Sequence, residues 1–152
     1  MDLDLSILLD ERLVKFNFDG TTKEEVIEKI GEVMYESGKI TDKDEYIKGV
    51  LEREKECTTG IGRGVAIPHC KNDAVKDAGF ALIQLKNNIE WSSLDGEPVN
   101  YVIMLAAPNT EDNVHLRILS QLARNLMDDD FLYALTNANS IEKIKKLFRG
   151  GK

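Results

Sequence analysis

Apolar and polar positions follow two periods along this chain, and each change of period marks a new element. Leu3 to Leu9 is apolar enough to pack, and Leu13-Val14-Lys15-Phe16-Asn17-Phe18 alternates as a strand does. Asp19-Gly20 reads as a turn. From Thr22 the spacing becomes helical: Thr22 and Glu25 stand at capping-box distance, and Val26, Ile27, Ile30, Val33 and Met34 share one face. Gly38 closes that helix just past its end. A second helix is predicted from Thr41 or Asp42, with Tyr46, Ile47, Val50 and Leu51 inward, running out through Glu52–Glu56.

Beyond a glycine-rich loop, Asp77 to Leu85 reads as a strand, Asn87-Asn88 as a tight turn and Ile89-Glu90-Trp91 as a short strand. Asp95-Gly96-Glu97-Pro98 turns again, and Val99 to Ala107 is almost wholly apolar, as a strand covered on both faces is. Pro108 ends it, and Glu111-Asp112 place acids in the first turn of a helix whose stripe is Leu119, Leu122, Ala123 and Leu126. Asp128–Asp130 open a short helix through Leu135, and Ser140 caps a last one carrying Ile141, Ile144, Leu147 and Phe148. This alternation predicts one α/β domain over residues 1–152, a mixed central β-sheet with helices on both faces. The sheet is expected to be mixed because the strands around Asn87-Asn88 are joined too tightly to be parallel.

Composition narrows the partners. The 152 residues carry a net charge of −7 with 42% hydrophobic content. That is an ordinary globular balance without the basic footprint that nucleic acid or an anionic membrane demands. The apolar run around Tyr101–Ala107 is far short of a bilayer span, so no membrane insertion is expected. The acidic start Met1-Asp2-Leu3-Asp4 lacks the basic opening of a secretory signal, which points to a cytoplasmic protein. Cys57 and Cys70 are then read as two reduced thiols.

The candidate chemistry lies in Thr58-Thr59-Gly60-Ile61-Gly62-Arg63-Gly64-Val65-Ala66-Ile67-Pro68-His69. Alternate glycines free the backbone, Val65-Ala66-Ile67 reads as a strand, and Pro68 stiffens the approach to His69, one of two histidines in the chain. A neutral imidazole attacks phosphorus without a base to deprotonate it, so phosphoryl transfer suits His69; the alternative is a surface or capping histidine. His115 falls in the first turn of the helix after the long apolar strand, where an anion is welcome; a half-buried structural histidine fits that position equally well. Arg53 offers a guanidinium for bidentate phosphate contact near a helix end, with Arg63 and Lys71 as weaker candidates. The loop is not a dinucleotide fingerprint, since its third glycine is misplaced and a strand follows. Zinc is disfavoured too: no Cys-x-x-Cys pair exists, and neighbouring His69 and Cys70 point apart when extended.

Several of these stretches together resemble one family. Arg53-Glu54, Thr59-Gly60-Ile61-Gly62, Gly64–His69, Lys71, Asp73, Trp91–Val99, Ala106-Ala107-Pro108 and His115–Arg124 are similar to the enzyme IIA domain of the bacterial sugar phosphotransferase system, fructose/mannitol class. The resemblance covers nearly the whole chain. It implies a phosphocarrier in which His69 takes a phosphoryl group from the phosphohistidine of HPr. His69 would pass it to a cysteine of a sugar-specific enzyme IIB, and so indirectly to the membrane enzyme IIC. By the same resemblance His115 and Arg53 hold the phosphoryl oxygens, and Thr59, Gly60 and Gly62 are candidate substrate-binding positions. No metal or organic cofactor is implied. The Trp91–Val99 segment favours the fructose branch, and Cys70 stands where the family usually has glycine.

Two other functions stay open: a regulatory module of the same fold that acts by binding proteins, and an anion-binding domain whose histidines only clasp. An exposed apolar patch beside His69 is expected to form the docking face, with Ile61 and Trp91 either contributing to it or lying in the core.

Overall fold

The computed structural model describes residues 4–149, so Leu3 of the first apolar run lies outside the described residues. Two short 3₁₀ turns, Leu5–Leu8 and Glu11–Leu13, lead into β1, Val14–Phe18. Helix α1, Lys23–Glu36, starts where the Thr22 hydroxyl accepts the Glu25 N–H, and Gly38 takes the positive φ of its exit. The reciprocal bond lands one residue earlier than the capping-box pattern predicts, because Glu25 accepts from Thr21 N–H at 2.7 Å. Helix α2, Lys43–Glu56, begins at an Asp42 cap.

Three short strands follow: β2, Gly60–Gly62; β3, Val65–Ala66; and β4, His69–Asn72. The long strands β5, Gly79–Ile89, and β6, Val99–Pro108, form the middle of the sheet. Helices α3, Val114–Leu126, α4, Asp129–Asn137, and α5, Ile141–Phe148, complete the described chain.

The described strands form one six-stranded sheet in the order β1-β5-β6-β3-β2, with β4 beside β6 as well. It is mixed: β1 runs parallel to β5, β5 antiparallel to β6, and β3 and β4 parallel to β6. The reason differs from the one the sequence suggests. Asn87-Asn88 is no turn; β5 continues through it in an exposed, irregular stretch between Gln84 and Ile89, and the chain reverses over residues 90–98. The Asn87 amide reaches back to the Gly20 carbonyl at 3.3 Å, a contact no local pattern announces. Trp91 belongs to the reversal rather than to a strand.

Alternation along the strands divides the core in two. Ala81, Ile83, Val102, Met104 and Ala106 pack under α1 and α2, while Phe80, Leu82, Tyr101, Ile103 and Leu105 pack under α3, α4 and α5. Helices therefore cover both faces, as expected. Two helix-level expectations change. Glu111 and Asp112 precede α3 instead of entering its first turn, and Asp112 accepts the Val114 N–H from outside at 3.4 Å. The buried stripe of α3 is Ile118, Gln121, Leu122 and Leu126; Ala123 is exposed and Leu119 only half-buried.

Candidate functional site

His69 opens β4, where its backbone pairs with Leu105 of β6. The next residue, Cys70, packs against the α1/α2 core, so strand alternation turns the His69 ring towards the α3 side. Pro68 just before it is pinned to the sheet, its carbonyl accepting the Leu105 N–H at 2.9 Å. The ring is half-buried, and its Nδ1 lies 2.8 Å from the Ile67 carbonyl. A carbonyl only accepts, so Nδ1 carries the proton and the Nε2 lone pair is left for chemistry. Burial pulls the His69 pKa below the ordinary imidazole value; the Ile67 bond opposes this, Arg53 lowers it further and Glu54 raises it. The ring is therefore neutral at pH 7.

The glycine stretch is a narrow hairpin rather than an open loop. Glycine at 62 and 64 supplies positive φ of 104° and 84° around Arg63, itself at 60°, which lets β2 fold straight back on β3. At Gly60 the demand is space: a Cβ there would lie 2.3 Å from Ser93 Oγ, and the Gly60 carbonyl accepts the Leu94 N–H at 3.0 Å. Thr59 N–H goes to Glu54 and Gly60 N–H to the Thr58 hydroxyl, at 2.9 and 3.1 Å. Neither of these two amides is free for a phosphoryl group, and Thr59, Gly60 and Gly62 are all buried.

Arg53 lies in the last turn of α2, half-buried, with one Nη1 bond to the Cys57 carbonyl at 3.1 Å. Its other guanidinium N–H groups meet no partner among the described residues, and its charge is felt at His69. His115 is the second residue of α3. Its Nδ1 is buried without a hydrogen-bond partner. Burial lowers its pKa, Lys71 and His69 add to that, and Asp112 opposes. The structure thus brings Arg53 and His115 each within electrostatic reach of His69, the three residues coming from three different elements. The α3 N-terminus beside them carries Asn113 in a left-handed conformation with no side-chain cap.

The weaker candidates go elsewhere. Arg63 pairs with Asp129 and reaches the Leu126 carbonyl at 3.4 Å, tying the hairpin to α3 and α4. Lys71 Nζ lies 3.4 Å from the Thr110 carbonyl. Of the two open positions, Trp91 is fully buried and belongs to the core, whereas Ile61 (40%) is exposed, as is Leu116 (54%), next to His115. Cys57 is exposed and Cys70 faces α2, where burial pushes its thiol pKa up. Such a thiol is a poor nucleophile. Among the described residues no three His, Cys, Asp or Glu side chains converge on a metal site, and no helix is long and apolar enough to cross a membrane.

Sequence reasoning counted Glu54 only as part of the Arg53-Glu54 match, without a role, and passed over Lys23. Glu54 is buried, accepts from Thr59 N–H and hydroxyl, and pairs with Lys23 at 3.3 Å. Lys23 comes 31 residues earlier, inside a helix cap, and nothing in its surroundings signals the pairing.

A family model described as "Phosphoenolpyruvate-dependent sugar phosphotransferase system, EIIA 2" matches residues 7–150. The chain is 35% identical over 142 residues to the fructose-specific EIIABC component of Bacillus subtilis, covering 93% of this chain but 22% of that protein. It is 33% identical over 142 residues to the fructose-specific EIIA component of Haloferax volcanii, covering 93% and 92%. Among solved structures, the nitrogen regulatory protein IIA-Ntr of Neisseria meningitidis aligns with a TM-score of 0.85 at 26% identity, covering 94% and 97%. Enzyme IIAMTL, in its Escherichia coli complex with phosphorylated enzyme IIBMTL, aligns at 0.80 and 26%, covering 93% and 97%.

Proposed function

Because the chain belongs to the phosphoenolpyruvate-dependent sugar phosphotransferase system EIIA 2 family, we propose that it is a phosphocarrier working through His69. The observation that carries this reading is the Nδ1–H bond to the Ile67 carbonyl, which leaves Nε2 as a fixed, unprotonated nucleophile. In the forward step the Nε2 lone pair attacks phosphorus on the phosphohistidine of HPr. The new N–P bond forms as the donor's N–P bond breaks, and HPr leaves with its imidazole restored. No proton leaves His69, and the positive charge that develops on its ring is shared with the Ile67 carbonyl through Nδ1–H.

Arg53 and His115 stabilise the three charged equatorial oxygens, the main task in phosphoryl transfer. The unclaimed guanidinium donors of Arg53 and the neutral His115 ring suit that role. In the second step a thiolate of enzyme IIB attacks the same phosphorus from outside and the N–P bond to His69 breaks. HPr and enzyme IIB reach one atom, so they bind in turn, and the exposed Ile61 and Leu116 offer an apolar rim for both. The fructose-specific names of two relatives favour fructose-type uptake in the cytoplasm. The IIA-Ntr alignment supports a second reading, a regulatory module phosphorylated at the same histidine.

The test is incubation with phosphoenolpyruvate, enzyme I and HPr, read by intact mass and peptide mapping. One acid-labile phosphoryl group on His69, passed on to an enzyme IIB, is the expected result. No added mass on folded protein with charged HPr would overturn the phosphocarrier reading. Phosphorylation without onward transfer to any enzyme IIB would select the regulatory one.

A further inference from the structure

We propose that Glu54 is a positioning residue for His69, acting through Thr59 and Ile67 to select which ring nitrogen is free. The proposal rests on the phosphocarrier reading of His69 given above.

The connection runs through four hydrogen bonds. Glu54 takes both donors of Thr59, the N–H at 2.9 Å and the hydroxyl in a short contact. The Thr59 carbonyl, so fixed, accepts the Ile67 N–H at 3.0 Å. The Ile67 carbonyl accepts His69 Nδ1–H at 2.8 Å. On its other side Ile67 is held by Pro68, whose carbonyl is locked to Leu105. The Ile67 carbonyl therefore has one support from the sheet and one from Thr59, and only the second depends on a side chain.

The carboxylate is itself held. Lys23 Nζ lies 3.3 Å from Glu54 and 3.1 Å from the Trp91 carbonyl, and Trp91 Nε1–H donates to the Thr59 hydroxyl oxygen at 3.2 Å. A buried ion pair is a poor way to gain stability, since desolvation offsets most of its attraction. Glu54 does something an apolar side chain could not: it orders two donors of one residue, and it puts a negative charge where His69 feels it. That charge opposes the burial and the Arg53 guanidinium that lower the basicity of the ring. Ring orientation and nucleophilicity are thus tied to one carboxylate.

The experiment labels the full chain with 15N-histidine and follows His69 by proton–nitrogen correlation against pH, alongside single-turnover phosphorylation by phospho-HPr and thermal unfolding. Glu54→Gln keeps the volume and removes the charge. It should mix the His69 tautomers, lower the His69 titration midpoint and slow phosphorylation tenfold or more in protein that stays folded. Thr59→Val should mix the tautomers too, whereas Thr59→Ser, which keeps the hydroxyl, should behave as wild type. A folded Glu54→Gln protein with unchanged tautomer, midpoint and rate would overturn the proposal. Should Glu54→Gln not fold, the Thr59 pair decides: equal behaviour of the Val and Ser variants would overturn it. If the wild-type chain accepts no phosphoryl group at all, the phosphocarrier reading fails, and the tautomer signal still decides whether Glu54 positions His69.

Discussion

The two histidines sit on opposite kinds of support. His69 is carried by a strand, between a proline pinned to the sheet and a carbonyl that claims its Nδ1. His115 is carried by the first turn of a helix, and its Nδ1 is buried with no partner. Burial is the first cause of a lowered pKa at both, so both rings are neutral at pH 7. What differs is constraint. A nucleophile gains from a fixed lone pair, because attack needs alignment before it needs reactivity. A group that donates to moving phosphoryl oxygens gains from an uncommitted ring that can turn.

That contrast fixes the order of expected losses. His69→Gln should abolish phosphoryl acceptance altogether, while His115→Gln should slow it by about 100-fold, the usual cost of removing one stabilising donor. Rapid-quench measurement with phospho-HPr checks both, and equal losses at the two positions would erase the distinction.

The pH profile sharpens it. With the His69 pKa lowered, the acid limb of the phosphorylation rate should fall below pH 6.5, the ordinary imidazole value. The same shift means the unfolded chain binds the proton more readily than the fold does. Stability from this group is therefore present at pH 7 and declines as the pH falls through 6.5 and below. Arg53 lowers the His69 pKa by its charge, so Arg53→Gln should move the acid limb upward, opposite in sign to Glu54→Gln. Titration of His69 in the labelled protein reads both signs directly.

The smallest effect tests the back of β4. A Cβ on Gly49 of α2 would lie 2.4 Å from Cys70 Sγ. Cys70 therefore occupies room that a helix glycine provides, which explains how the strand carries a side chain against α2 at this position. Gly49→Ala should destabilise by about 1–3 kcal/mol through overpacking, despite the helix preference for alanine. In a Cys70→Gly background the same change should cost less, because only the Asn72 amide nitrogen, 3.1 Å from the new Cβ, still has to give way. Denaturant unfolding of the four proteins measures the coupling, and phosphorylation should change little in Cys70→Gly because Cys70 lies on the face away from the His69 ring.

Much of the fold was legible because its signals are local. Thr22, Asp42 and Ser140 cap where their spacing says they do, and the apolar run Val99 to Ala107 is a buried strand. The failures share a cause. β2 and β4 are three and four residues long and exist because β3 and β6 lie beside them, so no window of sequence carries their signal. Asn87-Asn88 has turn chemistry and yet extends, because β5 continues far enough to pair Ile89 with Val99. Ala123 fits the helical stripe but faces water, while Gln121 turns inward and bonds to Asn125 at 3.0 Å. Trp91 fits surface or core by type alone; its indole N–H has a buried partner in Thr59, which places it in the core.

By itself the sequence pointed to a stiffened strand presenting His69 and to membership of a phosphotransferase-system family, and through that resemblance it nominated Arg53 and His115 to join it. Those readings rest on residue types and short spacings, which folding preserves. The tertiary structure alone decided that Nε2 is the free nitrogen, that the Ile67 carbonyl holds the other, and that Glu54 and Lys23 stand behind them. Hydrogen bonds spanning tens of residues are set by which strands pair and which helix ends meet them, and the sum over the whole chain makes that choice.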